Sequence, residues 1–148
     1  MTTIAYRDGV MVSDGRMVFD NTIMSDSTVK IFRLSDGALM AITGEASYAQ
    51  AIINALETED EELPQAPGDV NAILVEVGGT IKLFDGIGEF EVVETNYIAL
   101  GSGAAFAYGA LDSGCTAEEA VKAAIKRDPQ SGGRIQVLEL QEETEWHQ

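Results

Sequence analysis

The chain opens Met1-Thr2-Thr3-Ile4-Ala5-Tyr6-Arg7-Asp8-Gly9-Val10-Met11-Val12-Ser13-Asp14. Residues 3–6 and 10–12 are short β-prone runs on either side of Asp8-Gly9. That dipeptide suits a two-residue hairpin because both positions tolerate left-handed backbone. The chain is therefore expected to begin with a tight antiparallel pair. Arg7 and Asp8 interrupt the first apolar run, so no basic-then-apolar signal segment is read.

Working outward, residues 29–32 and 38–42 are further strand candidates, separated by the polar turn Ser35-Asp36-Gly37. From Glu45 the apolar period changes to that of a helix: Ala46, Ala49, Ile53 and Leu56 predict a helix to about Glu57. An acidic, proline-bearing connection over 57–68 ends it. Residues 72–77 and 80–84 surround Gly78-Gly79, read as a second tight hairpin. Residues 90–93 and 97–100 are expected strands. After Gly101-Ser102-Gly103, the small residues Ala104, Ala105, Ala107, Gly109 and Ala110 predict a closely packed helix. Thr116 with Glu119 forms a capping box, and Ala117, Ala120, Val121, Ala124 and Ile125 share one face of the helix behind it. Residues 134–140 alternate as a last strand. Two mainly antiparallel sheets packed face to face, with helices outside both, would bury every one of these faces. The expectation is an α+β, four-layer αββα sandwich forming a single domain over residues 1–148.

Composition narrows the partners. The chain has 148 residues, with 25 acidic against 9 basic side chains and a net charge of −16. Such a surface repels phosphate backbones and anionic lipid, so neither nucleic acid nor membrane is expected as a partner. No apolar run approaches the roughly 20 residues that span a bilayer. A lone Cys115 cannot form an internal disulfide, which suits a reducing, cytoplasmic setting. The single histidine, His147, stands one residue from the end and is poorly placed for a Ser-His-Asp triad. No CxxC or HExxH occurs, and no metal or other cofactor is expected.

Thr2 carries the most specific chemistry. A hydroxyl is a weak nucleophile at neutral pH and needs a base close to its oxygen. At a free N-terminus the α-amine of the same residue can be that base, since its ordinary pKa is roughly 7.7–8.0. A nearby cation would raise the neutral fraction of that amine. By spacing alone Thr2 is also an ordinary strand residue, and Lys30, between Val29 and Ile31, is either on a solvent face or a buried amine with a counter-ion.

Five blocks, in order, resemble the proteasome β-subunits and the peptidase of the HslUV system, which are N-terminal-nucleophile hydrolases. They are Thr2-Thr3-Ile4 with Val12-Ser13-Asp14-Gly15-Arg16, then Asn21-Thr22-Ile23-Met24 with Val29-Lys30-Ile31-Phe32-Arg33-Leu34, then Ala41-Ile42-Thr43-Gly44-Glu45-Ala46, then Ala99-Leu100-Gly101-Ser102-Gly103, and finally Lys126 to Gly133 around Asp128 and Ser131. The resemblance implies that Thr2 is the nucleophile and that Asp14 holds Lys30 charged beside it. It implies that the Gly44 N–H stabilises the oxyanion and that Ser102, Asp128 and Ser131 surround the amino terminus. Val18, Ile42 and Ala46 match positions that line the family's first substrate pocket. It further implies a threonine endopeptidase acting on peptide or unfolded protein inside a homo-oligomeric ring, with an AAA+ unfoldase as a conceivable partner. Where the family has a second long helix, this chain has only the acidic 57–68 connection. Three readings stand side by side: the peptidase, which requires removal of Met1; a small-amide hydrolase of the same class; and a catalytically silent structural or viral assembly protein that retains Met1.

Overall fold

The computed structural model describes residues 2–58, 62–66 and 69–141, with Ala46 described in its backbone alone. The chain begins with the strands β1 (Ile4–Arg7), β2 (Val10–Ser13), β3 (Met17–Phe19), β4 (Thr22–Ser25), β5 (Ile31–Arg33) and β6 (Leu39–Thr43). A single 3-10 turn, Ala46–Tyr48, then leads into α1 (Ala49–Glu57). Next come β7 (Asn71–Val75), β8 (Ile81–Phe84), β9 (Glu91–Val92) and β10 (Tyr97–Leu100), followed by α2 (Ala104–Asp112), α3 (Ala117–Arg127) and β11 (Gln136–Glu139).

One sheet runs β10-β1-β2-β11 and a second β5-β6-β7-β8-β9, while β3 and β4 form a separate ribbon. Every pairing is antiparallel. Strand alternation sends one set of side chains inward from each sheet. Ile4, Tyr6 and Met11 meet Leu39, Ala41, Ile73 and Val75 in a core between the sheets. The intervening residues face outward into two further cores: Ala5, Val12 and Ala99 pack under α2 and α3, and Met40, Ile42 and Leu74 pack under α1. The result is the expected αββα order of layers, and it explains why β6 is buried along its whole length.

Several boundaries differ from the periodicity reading for identifiable reasons. The expected helix from Glu45 is a 3-10 turn followed by α1, and its buried stripe is Ala49, Ile52 and Ala55, with Ile53 and Leu56 only half-buried. The Gly78-Gly79 hairpin is longer than two residues. Gly79 N–H donates to the Glu76 carbonyl (2.7 Å), so the turn is centred on Val77-Gly78 and β7 stops at Val75. Lys30 precedes β5 instead of lying within it. Of the acidic connection, residues 59–61 and 67–68 lie outside the described residues, as do Met1 and His147; residues 62–66 carry no helix. Leu63 and Ala66 there pack against the α1-side core.

Candidate active site

The site is assembled where β1 begins and β2 ends. The Asp14 N–H donates to the Thr3 carbonyl (3.1 Å), extending the β1–β2 pairing by one step and turning the Asp14 carboxylate inward. Asp14 is fully buried. Its Oδ1 accepts from Thr3 N–H (3.0 Å) and from Lys30 Nζ (2.8 Å), and its Oδ2 accepts from Gly132 N–H (3.0 Å). A buried carboxylate is tolerable only when so many donors replace its lost water. Lys30, also buried, donates in addition to the Arg16 carbonyl (2.6 Å). Burial pushes the Lys30 ammonium below its ordinary pKa, and the Asp14 charge and hydrogen bond only partly restore it.

A second set of polar groups closes around the Thr2 nitrogen. Thr2 N donates to Ser102 Oγ (3.1 Å), and Ser102 Oγ donates to Asp128 Oδ2 (2.6 Å). Ser131 Oγ donates to the same Asp128 oxygen (2.6 Å) and shares a hydrogen bond with Thr3 Oγ1 (2.7 Å). Asp128 is the C-cap of α3, its N–H bound to the Ala124 carbonyl, so the helix end fixes where the carboxylate stands. Burial pushes the Asp128 carboxyl up, but hydrogen bonds from Ser102, Ser131 and Gln130 N–H outweigh that and leave it below the ordinary carboxylate value. Gly101 lies behind Thr2 at φ 98°, and a Cβ there would collide with the Thr2 carbonyl. Only glycine fits that approach.

Thr2, Lys30 and Gly44 line one cleft of about 610 Å³. Gly44, at φ 86°, makes the turn from β6 into the 3-10 segment, and any Cβ would strike the Asp69 carbonyl. Val18 and Ile42 supply apolar lining, joined by Met17, Phe19 and Val29. Arg16, Glu45, Ser47 and Asp69 give the cleft its polar rim. Such a cleft can hold an extended chain against Thr2, a buried cation and the Gly44 turn at once.

A family profile described as "Proteasome subunit" matches residues 1–62. A curated relative, "Proteasome subunit beta 2" of Pyrobaculum arsenaticum, is 27% identical over 91% of this chain and 85% of its own length. A further "Proteasome subunit beta 2", from Pyrobaculum aerophilum, is 44% identical over 40% of this chain and 34% of its own length. Among solved structures, eukaryotic HslV from Trypanosoma brucei superposes with a TM-score of 0.68 at 19% identity, covering 93% of this chain and 98% of its own. Thiobacillus denitrificans BPH does so with a TM-score of 0.66 at 21% identity, covering 95% and 98%. The chain is proteasome- and HslV-like. Its fold is that of the N-terminal-nucleophile hydrolases.

Within this proteasome-like frame, the Asp14–Lys30 pair and the Thr2–Ser102–Asp128–Ser131 set are joined through Thr3 into one set of hydrogen bonds around the start of β1. Gly44, Val18 and Ile42 line the same cleft as Thr2 and Lys30, and the Ile42 N–H donates to the Lys30 carbonyl (3.1 Å). Ala46 contributes its backbone to the 3-10 turn, and its side chain lies outside the described residues. Sequence reasoning passed over Thr3, whose hydroxyl links the two sets through Ser131, and Arg16, whose carbonyl holds Lys30. The Arg16 guanidinium is itself held by Asp26 (2.8 Å), with the hydrogen bond to Asp26 the main cause of its raised pKa. Thr3 was legible in principle: strand alternation turns it away from Thr2, toward whatever flanks the amino terminus on the other side.

Proposed function

We propose that the chain is a threonine-type endopeptidase subunit of a homo-oligomeric chamber, with Thr2 as its nucleophile once removal of Met1 frees the α-amine. The observation that carries this is the convergence of Thr2, Lys30 and Gly44 on one cleft, while the Thr2 nitrogen is bound into the Ser102–Asp128–Ser131 set. Thr2 Oγ1 attacks the substrate carbonyl and passes its proton to the α-amine. The resulting ammonium then gives that proton to the departing amine as the peptide C–N bond breaks, leaving an ester on Thr2. Water, deprotonated by the same α-amine, hydrolyses the ester.

The surrounding residues set the balance of that base. The Lys30 cation favours the neutral amine before attack, and Asp128, acting through Ser102, stabilises the ammonium formed during it. The N–H at Gly44 supplies a fixed dipole for the oxyanion, a contribution of about 3 kcal/mol in other hydrolases. Apolar Val18, Ile42, Met17 and Phe19 favour apolar substrate side chains next to the cleaved bond. Enclosure in a ring follows from the hazard of an unguarded peptidase and from the proteasome and HslV likeness.

The test is the intact mass of the purified chain with and without a β-lactone that acylates N-terminal threonines. Loss of one methionine plus a single adduct, absent in Thr2→Ala, supports the reading. Retained Met1 with no adduct overturns it in favour of the silent assembly protein. Light scattering separates the chamber from a freely diffusing small-amide hydrolase.

A further inference from the structure

Strand alternation turns Thr3 to the same side of β1 as Ala5, toward α2 and α3. Thr3 is fully buried, and its hydroxyl occupies the space that a Cβ on Gly103, the N-cap of α2, would need. A valine would fill the same volume without the cost of burying a hydroxyl, so what threonine adds here is the hydrogen bond to Ser131 Oγ (2.7 Å). The direction of that bond follows from counting protons. Asp128 is held ionised and can only accept. Ser131 has one hydroxyl proton and gives it to Asp128 Oδ2 (2.6 Å), so Thr3 must be the donor to Ser131. By the same count Ser102 gives its proton to Asp128 Oδ2 (2.6 Å) and accepts from the Thr2 nitrogen (3.1 Å). Two one-way chains therefore end on a single carboxylate oxygen, one starting at the Thr3 hydroxyl and the other at the Thr2 nitrogen.

A hydroxyl that accepts a hydrogen bond donates a stronger one. Each donor to a carboxylate in turn offsets part of its charge and weakens its hold on a neighbouring cation. We propose that Thr3 is a positioning residue of the reaction: by donating to Ser131 it strengthens the bond from Ser131 to Asp128, and so limits how firmly Asp128, through Ser102, holds the protonated α-amine of Thr2. The amine must be neutral to take the Thr2 hydroxyl proton, so this restraint keeps the base available near neutral pH. The role rests on the threonine-peptidase reading for its consequence, though not for its geometry. The backbone of the same residue reaches the Lys30 pair, since Thr3 N–H donates to Asp14 Oδ1 (3.0 Å), and a substitution confined to the hydroxyl leaves that bond in place. The charged groups around the set are Lys30, paired with Asp14, and Arg16, which lies against Gly132 and is paired with Asp26. On α3 itself they are Lys126 and Arg127, which line a cleft between α2 and α3.

The test uses the chain released with Thr2 as its first residue by cleavage of an N-terminal fusion, which makes it independent of Met1 removal. Two rates are followed against pH by intact mass. Carbamylation of the α-amine by cyanate, located by peptide mapping, needs only a neutral amine; acylation by the β-lactone also needs the hydroxyl. Thr3→Val should raise both pH midpoints by about half a unit, and Thr3→Ser should restore them. Thr3→Ala, which also removes the donor, should shift them in the same direction and covers a valine that fails to pack. Ser131→Ala should raise them as well, and adding Thr3→Val to it should change nothing further, because the chain of bonds is already cut. Unmoved midpoints without the Thr3 hydroxyl, a Thr3→Ser chain that behaves like Thr3→Val, or additive shifts in the double variant would each overturn the role. A raised carbamylation midpoint in chains that take up no lactone would leave Thr3 its hold on the amine and sink the peptidase reading instead.

Discussion

At the residue scale the site depends on a charge pair taken almost wholly out of water. Lys30 and Asp14 are held at 2.8 Å with almost no solvent contact. Removing one partner of such a pair strands the other charge, a cost of about 3 kcal/mol or more. Asp14→Asn should therefore lower the stability seen in urea denaturation by about 3 kcal/mol, and a loss near zero would mean that Lys30 reaches water in solution. The pair also sets a pH signature. Because burial depresses the folded pKa of Lys30 below its unfolded value, the unfolded chain binds more protons between those two values. Stability must rise with pH across that alkaline interval, and the full cost of burying the charge is felt below it. Lys30→Met should abolish the rise, as followed by urea midpoints at increasing pH. Gly101 makes a sharper, steric prediction. An added methyl meets the Thr2 carbonyl at a φ of 98°, so Gly101→Ala should displace Thr2, cost about 2 kcal/mol and suppress lactone acylation measured by intact mass.

At the element scale, α3 connects fold stability to the site because its last turn ends in Asp128. Its first turn is held by the capping box, in which the Thr116 hydroxyl accepts from Glu119 N–H (3.2 Å) and the Glu119 carboxylate accepts from Thr116 N–H (2.9 Å). Thr116→Ala should cost about 1 kcal/mol, visible as a lower urea midpoint at unchanged slope. A normal midpoint would show the helix to be held by its packed alanine face alone. The capping box and that face were both readable in the sequence, because each is a local pattern of fixed spacing. So were the first hairpin and the layer order, which follow from strand alternation. The β3–β4 ribbon was not read as structure. Asp20 and Asn21 adopt φ of 52° and 60°, a left-handed pair like that of a two-residue hairpin turn, but neither is a glycine and the flanking strands are short. The site was legible as types of residue in order. What linked them was not: Thr3 and Arg16 act through a hydroxyl and a carbonyl just ahead of β1 and of β3, and no spacing rule reports a tertiary hydrogen bond.

At the scale of the whole molecule the dominant quantity is net charge. Twenty-five carboxylates against nine bases give a compact chain of −16, and folding brings these like charges closer together than they stand in the unfolded state. The attractive pairs that oppose this are few among the described residues. Arg16–Asp26, Lys82–Glu76 and Lys122–Glu118 all lie at least partly in solvent, where such pairs hold little. The repulsion acts over many separations longer than a Debye length at moderate salt, whereas each attractive pair acts at contact, so added salt should remove more repulsion than attraction. Raising sodium chloride from about 20 mM to about 200 mM, a range that shortens the Debye length from about 20 Å to under 10 Å, should lift the thermal midpoint by about 3 °C or more. Scanning calorimetry at fixed chain concentration checks this, with fixed concentration holding any assembly constant. A midpoint that falls with salt would mean that the contact pairs, Lys30–Asp14 foremost, outweigh the spread-out carboxylates. In that case charge reversal at exposed positions such as Glu89 should leave the midpoint unmoved.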